Sequence, residues 1–260
     1  MQKAIIVGIL GGLFNLEGRA IGELMFSQPL VAGTITGWLL GDVHTGLIIG
    51  AILQLIWINM LPVGASIPPD SSLASVLGVT FAISLLSSHK LPSDIIMAYS
   101  VALAIPLGLV AKWMDFHLRE FNANLSHRVS MYASHGNTVA IDLITGAAVV
   151  LSFFKGFILC FIATLLADRI LLDILVSLPH QIKDGLRLSW KFFPAIGIAV
   201  IINMFCVKKF ISFFIGSYLF VVILLAVAGF SKIILFLIVL SIAILMAFEM
   251  RKFQKDGEIC

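Results

Sequence analysis

The chain is poor in charge. Lys and Arg number 17 and Asp and Glu 14 among 260 residues, so charged side chains make up 12%. Ordinary soluble domains carry roughly 25%. The deficit leaves too little charge to cover a soluble surface of this size. The net charge is only +3, and the basic residues are scattered at segment ends. With no basic block interleaved with aromatics, nucleic acid is excluded as a partner. Cysteine is scarce as well: Cys160, Cys206 and Cys260 stand far apart, without metal or redox spacing. Cys160 and Cys206 lie in apolar runs and read as small buried hydrophobes. The six histidines, His44, His89, His117, His127, His135 and His180, do not pair at ligand spacing. There is no Gly-rich phosphate loop, no Gly-x-Ser-x-Gly elbow and no His-Glu-x-x-His. An ATPase, a serine hydrolase and a metalloenzyme are thereby disfavoured, and the sequence calls for no cofactor or metal.

What the chain has is apolar surface. It is 60% hydrophobic with a mean hydropathy of +1.09, the composition of an integral membrane protein. Apolar stretches recur at 4–16, 24–41, 47–63, 73–86, 95–111, 139–166, 192–207, 210–229 and 233–248. Several fall short of the roughly 20 residues a helical span needs. Short, Gly/Pro-interrupted segments predict broken or re-entrant helices. Residues 139–166 are long and contain Asp142 and Lys155, which fits one tilted helix or a helix plus a partial second one. The first stretch has the length of a signal-peptide core, but Glu17, Arg19 and Glu23 follow without a cleavage pattern, so it reads as a retained first membrane element. The expected fold is all-α: a polytopic helical membrane protein, with residues 1–260 as a single membrane-embedded domain.

Residues 112–136 form the clearly polar stretch. Met114, Leu118, Phe121, Leu125, Val129 and Tyr132 recur at steps of four and three, the period of one helix face. Lys112, Asp115, Arg119, Glu120, Asn122 and Arg128 occupy the remainder, and Gly136 suits a C-terminal cap. This predicts an amphipathic interfacial helix, on the membrane surface or against another subunit. Residues 178–185 predict a loop or helix break. Arg251, Lys252 and Lys255 favour a cytoplasmic C-terminus, and by the same rule Lys112, Arg119 and Arg128 are cytoplasmic.

The densest signals lie in residues 28–75. Gly33, Gly37 and Gly41 fall on one helical face, and Gly46 and Gly50 repeat the spacing. That pattern serves close backbone approach within or between subunits. Gln54 lies mid-run with Trp57 one turn on. An amide beside an aromatic ring suits a sugar, whose hydroxyls pair with the amide while its C–H face stacks on the ring; a helix–helix hydrogen bond and an interfacial anchor account for the pair equally well. Asn59 offers another polar group near the following turn. Asp70, after Pro68 and Pro69, reads as an N-cap accepting from the Ser72 or Leu73 N–H, a role compatible with lining a site. Asn203, alone in an apolar run, needs a partner or a substrate. Asp142 and Lys155 are too far apart to meet on one helix and need partners elsewhere.

In order along the chain, Gln28-Pro-Leu-Val-Ala-Gly33, Leu40-Gly-Asp42, Thr45-Gly46 with Ile48-Ile-Gly50, Pro62-Val-Gly-Ala-Ser-Ile-Pro-Pro-Asp70, Leu73-Ala-Ser75, Ala102-Leu-Ala-Ile-Pro-Leu107, Gly136-Asn137, Asp184-Gly-Leu186 and Ile202-Asn-Met204 resemble the enzyme IIC subunit of the mannose/fructose/sorbose class of the bacterial phosphoenolpyruvate:sugar phosphotransferase system. The resemblance implies a multi-pass bacterial inner-membrane permease subunit that binds a hexose or hexosamine and passes it inward. It implies a IID membrane partner, assembly into oligomers of IIC–IID heterodimers, and soluble IIA and IIB proteins that carry the phosphoryl group, so the chain itself is no enzyme. It also implies Gln54, Asp70 and Asn203 as residues that contact or shape the sugar site, and Trp57, Asn59 and Ser66 from the same dense stretch complete the candidate set. The competing reading is an integral-membrane enzyme acting on a lipid-linked substrate. Such an enzyme needs clustered acidic, His or Arg residues, whereas the acids here are scattered in sequence. A purely structural assembly subunit is the third reading.

Overall fold

The computed structural model describes residues 1–22, 24–60, 67–88 and 90–205, with Gly216 and Phe220. Within these the chain is helical: α1 (Gln2–Leu16), a π-helical turn (Glu17–Ile21), α2 (Pro29–Leu40), α3 (Val43–Trp57), α4 (Ser71–Leu86), α5 (Ser93–Ser134), α6 (Thr138–Ser177) and α7 (His180–Phe205). The chain forms two compact units, Met1–Ile201 and Ile202–Cys260. The first carries all the contacts described below.

Helix α4 is the axis of the first unit. Its sequence, SSLASVLGVTFAISLL, has no polar face, and small residues alternate with branched ones on every side. Twelve of its sixteen residues are buried, and it lies against α1, α2, α3, α5 and α6. A helix apolar all round is one enclosed by others. At about 1.5 Å per residue, α2, α3 and α4 are roughly 18–24 Å long, short of the approximately 30 Å hydrocarbon core. The predicted short, broken elements are present as these three helices. By length and composition, 2–21, 93–134 and 138–167 can each cross a membrane.

Glycine sets two helix seams. A Cβ on Gly46 would lie 2.9 Å from the Gly37 Cα, and one on Gly50 would lie 2.8 Å from the Pro29 carbonyl oxygen. The predicted glycine face therefore packs α2 against α3 within one chain. Gly41 differs from the expectation. It lies beyond the end of α2 with φ +90°, capping the helix, and nothing approaches it. The second seam joins α1 to α6: Gly8 and Gly12 accept the rings of Phe157 and Phe153, and Gly11 meets Gly156 and Cys160.

Three stretches differ from the sequence reading. The amphipathic stretch is helical but continuous with the apolar run before it, giving a 42-residue α5. Nothing interrupts the helix at Lys112, and Pro106 is accommodated within it. Met114, Leu118, Leu125 and Val129 are half-buried as expected, while Phe121 and Tyr132 face outward and Asp115, placed on the polar face, is buried. Gly136, at φ +66° just past the end of α5, takes the C-terminal capping place predicted for it, and Asn137 caps α6 by accepting the Ala140 N–H at 3.1 Å. Residues 139–166 belong to one 40-residue helix that runs on to Ser177. The break expected over 178–185 is confined to Leu178 and Pro179, because α7 begins at His180.

Candidate functional site

The N-terminus of α4 is where buried charges from several helices meet; Glu17, also buried, lies apart from them and accepts the Ser27 N–H at 3.0 Å. Pro68 and Pro69 stop any helix before Asp70, and the Asp70 side chain caps α4 as predicted: Oδ1 accepts from the Leu73 N–H at 3.2 Å and from the Ser72 hydroxyl at 2.7 Å. Its other oxygen, Oδ2, faces the Lys155 ammonium of α6 at 2.9 Å. Lys155 also donates to Asp115 of α5 at 2.6 Å and to the Asn15 amide oxygen of α1 at 3.0 Å. Arg19, from the π-helical turn, pairs with Asp115 and lies 3.8 Å from Asp70. The Asn15 amide nitrogen in turn donates to the Ser152 carbonyl of α6.

This cluster is electrically neutral, with two cations against two carboxylates, and its members sit on five elements. The side chains of Lys155, Asp115 and Asp70 are 4%, 3% and 8% exposed, so each charge depends on its partners. An unpaired ion in such a place costs several kcal/mol. Three ammonium protons meet three oxygens, which is the full donor capacity of a lysine. Gly108 completes the approach. The Asp70 N–H donates to the Gly108 carbonyl at 3.2 Å, and a Cβ on Gly108 would lie 3.3 Å from the Asp70 carbonyl oxygen.

A second polar centre joins α2 and α3. The Gln54 amide donates to the Gln28 side-chain oxygen at 2.9 Å, and its own oxygen accepts the Leu30 N–H at 3.4 Å. Leu30 N–H is one of the unsatisfied donors of the first turn of α2, and Pro29 removes another. Beside this pair, Ser75 of α4 donates to the Pro29 carbonyl at 2.7 Å.

The proposed sugar-site residues are therefore distributed. Asp70 lies in the charged cluster and Gln54 in the amide pair. Trp57 is buried in an apolar cluster with Ile49, Leu53, Ala74, Val101 and Ala104, so its neighbours differ from those of Gln54. Asn59 is exposed in the turn after α3. Ser66 lies outside the described residues, and Asn203 lies in the last turn of α7 with its side chain outside them. Asn15, Arg19, Asp115 and Lys155 are the residues the sequence reading did not bring to the site. One signal pointed there: Lys155 needed a partner beyond its own helix. The acids that look scattered along the chain are, for Asp70 and Asp115, brought to one cation, and both are neutralised by it and by Arg19.

Comparison with known proteins agrees with this architecture. The family model described as the PTS system sorbose-specific IIC component matches residues 1–248. The mannose-specific EIIC component of Escherichia coli K12 is 28% identical over 210 residues, covering 80% of this chain and 74% of that protein. The fructose permease IIC component of Bacillus subtilis is 27% identical, covering 81% and 74%. A cryo-EM structure of the mannose transporter ManYZ with microcin E492 matches with a TM-score of 0.56 at 25% identity, covering 95% of this chain and 94% of the matched one. A structure described as a membrane protein matches with a TM-score of 0.69 at 25% identity, covering 95% of each chain. The fold, the apolar helices and a family match over nearly the whole length lead to one conclusion: this multi-pass membrane chain belongs to the sorbose-specific IIC family of phosphotransferase-system permease components.

Proposed function

We propose that this chain is the sugar-translocating IIC subunit of a mannose/fructose/sorbose-type phosphotransferase system in the bacterial inner membrane. The observation that carries the reading is the family match over 1–248, joined by relatives named for mannose, fructose, sorbose and N-acetylgalactosamine. The whole of 1–260 acts as one membrane-embedded IIC domain in this reading. Its substrate is a hexose or hexosamine. Phosphoryl transfer falls to soluble IIA and IIB partners, and a IID membrane subunit completes the path, the IIC–IID pair assembling further.

Gln54, Trp57, Asn59, Ser66, Asp70 and Asn203 contact or shape the sugar site. Two features of the geometry favour this. Gln54 and Gln28 form a half-buried amide pair whose donors and acceptors match those of sugar hydroxyls. Asp70 fixes the segment that enters α4, so a substrate meeting this segment meets a rigid edge. In the transport cycle the glycine-seamed α2–α3 hairpin moves as a body, carrying Gln54. The Lys155 cluster holds the entry to α4 against α1, α5 and α6. Arg19 and Lys155 leave neither carboxylate unpaired to serve as a base, which speaks against the lipid-linked enzyme.

Uptake of radiolabelled mannose, fructose, sorbose and N-acetylgalactosamine by cells expressing the complete subunit set tests the reading. Omitting this chain abolishes uptake of the cognate sugar, and Gln54→Ala and Asn203→Leu reduce it about ten-fold or more, the scale set by one lost polar contact to substrate. Uptake that persists without the chain sinks the function. Normal uptake by both variants in an assembled complex sinks the site assignment alone.

A further inference from the structure

We propose that the cavity between the π-helical turn, α5 and α6 is an anion site that takes a phosphate-bearing ligand. The cavity has a volume of about 290 Å³ and is bordered by Arg19, Arg119, Asn122, Thr145 and Ser152. That is near the lower end of small-ligand pockets, about 300–1,000 Å³, and suits a phosphate with a small attached group.

The chemistry of the lining selects the charge. No carboxylate lines the cavity. Both ion pairs of Arg19 run through Nη2, which leaves Nη1 and Nε for a ligand. Asp70 and Asp115 together balance Arg19 and Lys155, so the cluster contributes no net charge to the cavity. Arg119 makes no ion pair among the described residues, and its positive charge is the uncompensated one. Asn122 borders the cavity with its side-chain oxygen turned away from it, buried and without a hydrogen-bond partner. The amide nitrogen, with two N–H donors, is the polar end left open to a ligand. The Thr145 and Ser152 hydroxyls rest on carbonyls of their own helix, at 2.9 and 3.0 Å, and both rotate freely enough to turn a proton inward.

Two guanidiniums and an amide make a planar donor set, the geometry that grips phosphate oxygens. A neutral sugar satisfies Asn122 but leaves Arg119 unpaired, and the lining offers no aromatic ring for it to stack on. A phosphate answers both needs. Such a group comes to this cavity either on a phosphorylated sugar or on an anionic phospholipid headgroup. The sugar-phosphate source rests on the transport function proposed above, while the lipid source does not.

The test uses the full chain, with its membrane partner, in nanodiscs of phosphatidylcholine and of phosphatidylglycerol. Calorimetry with mannose 6-phosphate, with mannose as control, reads the first source. Native mass spectrometry of retained phosphatidylglycerol reads the second. Arg119 is exposed and unpaired, so Arg119→Gln leaves the fold intact, which size exclusion checks, and Arg119→Lys preserves the charge. The site predicts that at least one phosphate ligand binds the wild type, and that Arg119→Gln weakens it about ten-fold or more while Arg119→Lys weakens it less. Asn122→Leu weakens the same ligand. Retention of lipid alone supports the anion site and removes the sugar-phosphate source without touching the transport function. Binding of neither ligand, or equal binding by wild type and Arg119→Gln, overturns the proposal.

Discussion

The α2–α3 hairpin and the charged end of the α1, α4, α5 and α6 contacts are both made for surroundings with little water, and they cohere by opposite means. In the hairpin, side chains are absent where the helices touch. Gly33, Gly37, Gly46 and Gly50 bring backbone within van der Waals reach of backbone, and dispersion over many close atoms supplies the attraction. At the charged end, Lys155, Asp70, Asp115 and Arg19 are long or ionised groups whose burial is costly until all are present. The first contact is graded, because each added methyl spreads the helices a little. The second is closer to all-or-none. A rigid hairpin beside a latched α4 is a division of labour suited to a transporter that moves one body against another.

Removing one member of the charged cluster has the largest expected effect. Lys155→Met leaves two buried carboxylates with Arg19 alone and destabilises the chain by about 3–5 kcal/mol. The measurement is the unfolding midpoint in detergent against a denaturant series. Adding Asp115→Asn to Lys155→Met restores part of that loss, because the second change removes an orphaned charge. Additive losses instead mean that the two residues act independently and that the cluster is no latch.

Within the hairpin, Gly46→Ala costs about 1–3 kcal/mol by overpacking, since its Cβ meets Gly33 and Gly37. Gly185→Ala is the control: Gly185 is helical with nothing within 4 Å of a Cβ, so the change is neutral or slightly stabilising. Equal midpoints for both variants contradict the seam. Asn137→Ala removes the α6 cap and costs about 1 kcal/mol, read on the same denaturant series. The Arg187–Asp94 pair, 3.4 Å apart with side chains 59% and 32% exposed, is the smallest case. Arg187→Ala shifts the midpoint by about 1 kcal/mol or less, and high salt erases the difference.

The comparison also explains what could be read in advance. Local devices were legible. The charge deficit gave the membrane class, the glycine spacing gave the α2–α3 seam, Pro-Pro-Asp gave the cap of α4, and Gly136 gave the C-terminal cap of α5. Each is encoded within a few residues. The cluster was not legible, because Lys155 meets groups 40, 85 and 140 positions away. Periodicity also misplaced Asp115. The helical pattern around it counts apolar positions, and a buried carboxylate satisfied by a lysine on another helix is indistinguishable from a solvated one. Gly41 shows the reverse error, a regular spacing extended one residue past the end of the helix that carried it. The family resemblance pointed to Asp70, which is in the cluster, yet it carried no expectation for Lys155.

Tying these features to transport requires a readout of the sugar itself. Membrane vesicles containing this chain and the proposed IID partner, loaded with the proposed soluble phosphoryl carriers, are given labelled sugar with and without internal phosphoenolpyruvate. The label inside is then separated into free sugar and sugar phosphate. The account predicts accumulation only with phosphoenolpyruvate, only when this chain is present, and almost wholly as sugar phosphate. Accumulation of free sugar independent of phosphoenolpyruvate, or equal accumulation without the chain, contradicts it.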